Sequence, residues 1–142
     1  MEICDVEVFG DREGDARLGI ASGYILDEQF TASGSLSGYE PHKARLDSSG
    51  AWCTDFDVIE KHYLQVDLRS EYRITGLETQ GRKKDGVTGF RLKYGTDQNA
   101  LRWYLDETMQ PMVFFTERLG QTSNIFQLVT QIRCRFLQIH VE

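Results

Sequence analysis

The feature that most constrains the fold of this chain is a short-range alternation of apolar and polar residues. Apolar side chains occupy every second position in residues 4–8, 64–68, 90–94 and 137–141. A period of two places all of these apolar side chains on one face of a β-strand. The stretches are separated by segments rich in glycine, serine and aspartate, at residues 10–14, 33–38, 48–50, 81–89 and 95–99. Short strands joined by polar turns predict an all-β fold, either a sandwich or a barrel.

In residues 99–109 the order of apolar and polar residues fits a helix and a strand equally well. Both tryptophans, Trp52 and Trp103, are expected in the core. The chain of 142 residues is long enough to bury its own core, and we expect one domain, residues 1–142. Its 16 lysine and arginine residues stand against 22 acidic ones, a formal charge of −6. This charge argues against general binding to nucleic acid or to anionic membranes, since both would repel the protein.

No arrangement of residues in the sequence indicates an active site. The three histidines, His42, His62 and His140, have no cysteine or second histidine at the spacing of metal ligands. The motifs of serine hydrolases, phosphate-binding loops and zinc proteases are absent from the sequence. The histidines are therefore predicted to be structural or solvent-exposed, and the chain is predicted not to be an enzyme.

Two loops carry residues that fit a binding site. Arg82, Lys83 and Lys84 form the one dense basic cluster, which is either a solvated hairpin tip or a contact for an anionic ligand. Leu36 and Tyr39 lie in a turn-rich loop where no strand face is expected to bury them. Exposed apolar residues on a loop are candidates for contact with a partner.

Blocks of sequence spread over most of the chain resemble, in the right order, a discoidin domain, the C-type module of coagulation factors V and VIII. The blocks are residues 18–20, 22–25, 29–33, 44–47, 50–53, 63–68, 74–76, 79–82 and 135–139. Those at 51–53 (Ala-Trp-Cys) and 79–82 (Thr-Gln-Gly-Arg) look most like the discoidin domains of collagen-receptor tyrosine kinases. The resemblance implies a jelly-roll β-sandwich, or distorted barrel, that is a non-catalytic extracellular adhesion module.

One departure from the family pattern concerns the ends of the chain. Residues 3–10 look like the family's last strand, which is missing after the C-terminal block, and residues 11–16 form a polar link. We therefore predict a circularly permuted domain whose opening strand docks beside strands of the C-terminal tail; the alternative is a truncated domain. In the collagen-receptor subgroup the cysteine of Ala-Trp-Cys bonds to the cysteine of that last strand, which implies a Cys4–Cys53 disulfide here. Cys134 is then expected to be a buried thiol.

The resemblance also implies where a ligand binds. Family members grip collagen, glycans, phospholipid headgroups or proteins with loops at one end of the barrel, which here are residues 33–42, 81–89 and 116–124. The residues expected to contact the ligand are Leu36, Ser37, Tyr39, Arg82, Lys83 and Lys84. Arg82 stands where collagen-binding members carry a functional arginine, whereas their tryptophan in the first loop is replaced near Leu36.

We therefore expect an extracellular, monomeric module that recognises a protein such as collagen. The alternatives are carbohydrate binding, with Tyr39 stacking on a sugar and Arg82 donating hydrogen bonds, and phospholipid binding. The lipid alternative is weaker, because Leu36 and Tyr39 are small substitutes for the large apolar residues of lipid-binding members. No nucleic acid and no cofactor are expected. A calcium ion held by Asp27 and backbone carbonyls in residues 20–30 is conceivable, but turn chemistry explains these residues equally well.

Overall fold

The fold is described from a computed structural model that covers residues 2–3, 5–11, 24–46, 48–54, 62–81, 88–116 and 123–141. Within these ranges the chain forms nine strands and two 3-10 turns, Asp27–Gln29 and Pro41–Lys43. The strands are β1 (Glu2–Ile3), β2 (Asp5–Asp11), β3 (Phe30–Ala32), β4 (Trp52–Cys53), β5 (Tyr63–Gln80), β6 (Gly89–Gly95), β7 (Arg102–Trp103), β8 (Phe114–Phe115) and β9 (Asn124–Val141). No helix in this part of the chain is long and apolar enough to cross a membrane.

The four alternating stretches of the sequence are confirmed as strands, in β2, β5, β6 and β9, apart from Cys4, which lies outside the described residues. Residues 99–109 contain β7 and turns and no helix. Of the two alternatives that the sequence left open here, helix or strand, the strand is therefore observed. β2 continues through Gly10 to Asp11, beyond the break predicted at residue 10. A register shift between Phe9 and Gly10 accommodates the glycine within the strand, as a β-bulge does.

Two strands of 18 residues, β5 and β9, run antiparallel and form a bent ribbon. Its first half pairs residues 63–67 with 136–140, and its second half pairs residues 76–79 with 124–127. Between the halves the register shifts twice, and Arg69 adopts a positive φ of 62°. Extra residues in one strand of an antiparallel pair bend that strand and increase its twist. The ribbon therefore changes direction between its two halves.

The two halves of the ribbon lie in two packed layers. Layer A contains β3, the first half of the ribbon, β6, β7 and β8, and layer B contains β2 and the second half. Phe90 of layer A packs edge-on against Phe126 of layer B, with 5.0 Å between the ring centroids. The largest fully buried side chains are Trp52, Phe90, Leu64, Ile74, Leu77, Leu92, Leu137 and Ile139. The predicted β-sandwich is thereby confirmed.

The neighbour of β2 differs from the prediction that the opening strand docks beside strands of the C-terminal tail. β2 pairs with residues 73–80 of β5, and β9 lies one strand further along the sheet. At residues 136–140, β9 is already paired with β5 on one edge and with β6 on the other, so the tail has no open edge there. The predicted neighbour is therefore wrong, although the opening strand does join the sandwich. The circular permutation itself stays a prediction.

An ion pair holds the ribbon where it bends. Arg135 of β9 donates two hydrogen bonds to the carboxylate of Asp67 in β5, from Nε at 2.8 Å and from Nη2 at 2.9 Å. The backbone N–H of Arg69, the residue with positive φ, donates another to the same carboxylate at 2.7 Å. The hydrogen bonds from Arg135 are the main cause that holds the pKa of Asp67 below its usual value. Asp67 thus ties both strands together at the bend.

Gly76 is expected to be required for the pairing of β5 with β9. A Cβ atom added to Gly76 would lie 2.6 Å from the backbone carbonyl oxygen of Phe126, closer than two such atoms approach in proteins. We expect Gly76→Ala to lower the free energy of unfolding by about 1–3 kcal/mol, the usual cost of overpacking. Urea denaturation measures this loss, with Gly34→Ala as the control, because nothing lies within 4 Å of that Cβ position. Equal stability of the two variants would contradict this register.

Candidate functional site

The three predicted binding loops leave the sandwich at one end. The backbone N–H of Ser33 donates to the carbonyl of Tyr63 at 3.0 Å, so the first loop begins beside the start of β5. The N–H of Thr116 donates to the carbonyl of Thr88 at 3.0 Å, so the second and third loops are neighbours. The loop end, as we call it, comprises residues 33–40, 81, 88, 116 and 123–124.

A short connection brings the far end of β5 to the loop end as well. Ile3 of β1 lies opposite Trp52 of β4, and Asp5 of β2 lies opposite Gln80, the last residue of β5. One residue separates Ile3 from Asp5, which limits the distance between their Cα atoms to about 7 Å. Gln80, the last residue of β5, therefore lies near β4, the strand that holds the first loop.

The first loop is fixed to β4 by main-chain hydrogen bonds. The N–H of Leu36 donates to the carbonyl of Cys53 at 2.9 Å, and the N–H of Cys53 donates to the carbonyl of Tyr39 at 3.3 Å. Within the loop, the N–H of Tyr39 donates to the carbonyl of Leu36 at 3.0 Å and closes a tight turn. Gly38, the third residue of this turn, has φ of 87°, a value that glycine adopts without strain. The turn is therefore preformed.

The structure exposes only part of the predicted contact set in this loop. Leu36 is 41% exposed, and Ser37 beside it is exposed too. Tyr39 is half-buried, because its side chain packs against Ala51 and Cys53. The prediction that no strand face would cover Tyr39 is therefore wrong: β4 passes under the loop and supplies that face. Leu36 and Ser37 remain the outward residues of the turn.

The two tryptophans differ in their surroundings. Trp52 is fully buried, as predicted, and its indole Nε1 donates to the carbonyl of Gly34 at 3.0 Å, which anchors the first loop from below. Trp103 is half-buried, so its predicted place in the core is wrong. It lies on the outer face of layer A, with Lys93 Nζ 4.4 Å and the Arg91 guanidinium 5.0 Å from its ring. The sequence did not predict that Trp103, Lys93 and Arg91 would contact one another. The one indication in the sequence was that Arg91 and Lys93 occupy the outward positions of the alternating strand.

Charges within the first loop are internally compensated. Lys43 forms an ion pair with Glu40 at 2.8 Å and also donates to the carbonyl of Gly38 at 2.8 Å. The hydrogen bond from Lys43, followed by backbone hydrogen bonds, lowers the pKa of Glu40 to about 2. The loop therefore presents its apolar turn without a net charge from this pair.

Several predicted site residues lie outside the part of the chain that the structure describes. These residues are Cys4, Arg82, Lys83 and Lys84. Glu2 of β1 lies directly opposite Cys53 of β4, and Ile3 lies opposite Trp52. The Cys4–Cys53 disulfide stays a prediction. Cys134 is a buried thiol, as expected, and burial, with a smaller contribution from Glu71, raises its pKa to about 12.

Asp27, the residue named for a calcium site, already has a cationic partner. Arg45 donates to its carboxylate at 2.6 Å, and this hydrogen bond is the main cause that lowers the pKa of Asp27. Across the described ranges, no three His, Cys, Asp or Glu side chains converge into a group that fits a metal ion. A calcium ion at Asp27 would have to compete with the guanidinium of Arg45.

The sandwich is similar to solved carbohydrate-binding modules. The family 32 module of C. perfringens NanJ, solved in complex with galactose, matches with a TM-score of 0.58 over 83% of this chain and 86% of that chain, at 10% identity. The CBM32 of AlyQ, solved in complex with 4,5-unsaturated mannuronic acid, matches with a TM-score of 0.55 over 79% of each chain, at 20% identity. At these identities the likeness shows a shared fold and no more.

Sequence comparison finds relatives in larger proteins. Coagulation factor V of Mus musculus is 32% identical over 141 residues, 92% of this chain. Discoidin domain-containing receptor A of Caenorhabditis elegans is 43% identical over 84 residues, 54% of this chain. The chain spans 6% and 11% of the lengths of these two relatives. The family model of the F5/8 type C domain matches residues 29–142, and the chain therefore belongs to this family of binding modules, the discoidin domains.

Proposed function

We propose that this domain is a non-catalytic extracellular recognition module that binds a protein, such as a collagen, through its loop end. The observation that carries the proposal is the turn at residues 36–39, where Leu36 and Ser37 are exposed while the backbone on both sides is bonded to β4. A preformed turn loses little conformational entropy when it binds. An exposed apolar residue on such a turn suits a protein partner, which buries it at the centre of an interface.

The basic cluster and the location belong to the same proposal. Arg82, Lys83 and Lys84 directly follow Gly81, which lies at the loop end, and we propose that they belong to the same ligand site. Arginine and lysine near an apolar contact favour a partner that carries carboxylates. The extracellular location is supported by the names of the relatives, a coagulation factor and a receptor.

Carbohydrate binding at the loop end is the second candidate. It is supported by two solved neighbours of the same fold, one in complex with galactose and one with an unsaturated mannuronic acid. Stacking on a sugar needs an open aromatic ring, and Tyr39 is half-buried against Ala51 and Cys53. The turn with Leu36 therefore favours the protein ligand over the sugar.

Replacing Leu36 with alanine tests the proposal. We expect Leu36→Ala to bind its ligand about tenfold more weakly, because truncating a central apolar contact costs more than 1 kcal/mol. The measurement is binding of the folded domain to immobilised collagens, to galactose-bearing glycans and to anionic vesicles. Val129→Ala is the matched control, since Val129 is 89% exposed but lies in β9 near the bend of the ribbon.

Three outcomes would overturn the protein-binding proposal. Unchanged affinity of Leu36→Ala for a collagen would remove the turn from the site. Binding to glycans alone would replace the protein ligand with the carbohydrate candidate. Binding to vesicles alone would make the loop end a lipid-binding surface.

A further inference from the structure

A groove lies on one side of the sandwich, between β9 and the segment that connects β7 to β8. We call it the side groove; it is lined by residues 104–108, 112 and 129–130 and has a volume of about 460 Å³. Leu105, Met112 and Val129 give it apolar walls. Leu105 is 39% exposed and Val129 is 89% exposed, so these walls are open to solvent. No residue of the side groove belongs to the loop end, where the protein-binding turn is proposed.

Hydrogen bonds hold the two walls of the side groove together. The hydroxyl of Tyr104, a buried residue, accepts a hydrogen bond from the backbone N–H of Thr130 at 3.0 Å. The N–H of Met112 donates to the carbonyl of Tyr104 at 2.9 Å, and Leu105 pairs with Pro111. The side groove is therefore preformed, and little conformational entropy would be lost when it is occupied.

The turn at residues 106–110 is rigid and exposes a methionine next to the side groove. Oδ1 of Asp106 accepts hydrogen bonds from the N–H of Thr108 at 2.8 Å, from its hydroxyl at 2.7 Å and from the N–H of Gln110 at 3.1 Å. Met109, which follows the lining residue Thr108, has φ of 64° and is 71% exposed. Residues with a side chain rarely adopt this conformation, and such strain is found most often where a residue has a function.

The rim of the side groove is negatively charged and lacks a cationic partner. Among the described residues, no lysine or arginine lies within ion-pair distance of Asp106 or Glu107. The three hydrogen bonds to Asp106 all end at Oδ1, which leaves Oδ2 for an incoming cation. The hydrogen bond from the Thr108 hydroxyl is the main cause that holds the pKa of Asp106 below its usual value, so this carboxylate keeps its charge.

We infer that the side groove binds a segment of a partner protein that carries lysine or arginine next to a large apolar side chain. The apolar side chain would lie between Leu105, Met112 and Val129, in contact with walls that are now exposed. The cation would pair with Asp106 or Glu107 at the rim. Met109 would add a contact beside them, since a flexible thioether adapts to the shape of a partner.

The charge of the chain favours this occupant over two others. The net charge of −6 attracts a basic segment at long range, whereas a second copy of the chain brings the same negative charge and is repelled. A phospholipid surface presents phosphate groups, which the carboxylates of Asp106 and Glu107 also repel. The inference does not rest on the ligand proposed for the loop end.

The test measures binding of the full chain to three peptides by titration calorimetry. The first is an amphipathic peptide of leucine and lysine, the second is poly-L-lysine, and the third is an amphipathic peptide of leucine and glutamate. We expect the leucine–lysine peptide to bind more tightly than poly-L-lysine, with an affinity that falls as salt rises. The leucine–glutamate peptide should not bind. Sedimentation of the chain, alone and with vesicles of phosphatidylcholine and phosphatidylserine, tests the two other occupants.

Two substitutions locate the binding. Met109→Gly should weaken binding of the leucine–lysine peptide about tenfold, through loss of an apolar contact. Its stability in urea should stay unchanged, because glycine adopts positive φ without strain, whereas loss of a structural side chain would lower it. Glu107→Gln should weaken binding about threefold, as expected for an exposed ion pair. Glu71→Gln is the matched control, since Glu71 is an exposed glutamate at the bend of the ribbon.

Five results would each overturn the inference. Unchanged affinity of both Met109→Gly and Glu107→Gln would remove the side groove from the site. Equal losses in Glu107→Gln and Glu71→Gln would show a response to net charge alone, and loss in Leu36→Ala instead would move the peptide to the loop end. Self-association that Met109→Gly abolishes would make the side groove an interface between copies. Vesicle binding that Met109→Gly abolishes would make it a membrane contact.

Discussion

Replacing Trp52 with alanine is expected to lower the free energy of unfolding by about 3–5 kcal/mol, the usual cost of truncating a large buried aromatic side chain. Trp52 is fully buried, and its strand, β4, lies between β1 and the first loop, residues 33–40. The substitution removes the packing of the indole and its hydrogen bond to the carbonyl of Gly34. Because small domains are stabilised by only about 5–15 kcal/mol, this is a large part of the total.

The variant Trp52→Phe separates the contribution of core packing from that of the hydrogen bond to the first loop. Trp52→Phe keeps most of the apolar volume but loses the bond to Gly34, so we expect a smaller loss of stability. The amide of Leu36, which donates to Cys53, should exchange with deuterium faster in both variants than in the unchanged protein. Urea denaturation and amide exchange are the measurements. A Trp52→Ala protein with unchanged stability would show that β4 is not part of the core.

Acidification is expected to destabilise the sandwich through His140. This side chain is 8% exposed, and burial, Lys93 and Arg91 lower its pKa from 6.5 to about 4, so the folded state favours the neutral imidazole. The imidazole of His140 therefore binds a proton at higher pH in the unfolded chain than in the folded protein. The stabilisation is therefore complete above about pH 6.5 and is lost as pH falls towards 4, by about 3 kcal/mol in total.

The control for this pH dependence is a side chain that cannot titrate. His140→Gln keeps an amide next to Gln138, and its stability should fall less between pH 6.5 and 4 than that of the unchanged protein. Among the described residues, those that face His140 are Tyr63, Trp103, Lys93, Arg91 and Gln138, and none of these five is a carboxylate. Denaturant midpoints measured across this range decide the matter. Parallel pH profiles of the two proteins would exclude His140 as the titrating group.

The strands of the sandwich could be predicted because burial of one face leaves a direct mark on the sequence. Leu64 and Val66 alternate with polar residues, and both are fully buried in β5. The neighbour of the opening strand could not be predicted in this way. Pairing depends on which edges remain open after the ribbon has bent, and the bend arises from irregularities around Arg69 that no local pattern marks.

The position of the proposed binding turn was predictable, but the burial of its side chains was not. Glycine at position 38 and the apolar Leu36 indicated an exposed turn, and Leu36 is indeed exposed. The burial of Tyr39 against Cys53 was not visible, because the covering strand is distant in sequence. The predicted contacts at Arg82, Lys83 and Lys84 stay predictions, since these residues lie outside the described part of the chain.

The sequence by itself determined that this protein is an all-β discoidin domain without the motifs of an enzyme. Period-two alternation and family blocks are local properties, and each is readable from neighbouring residues. Only the tertiary structure decided that Trp103 lies outside the core and that Lys93 and Arg91 both make cation–π contacts with its ring. Such side chains meet because strand pairing brings together residues from different parts of the chain, and the free energy of that pairing depends on contacts across the whole sandwich.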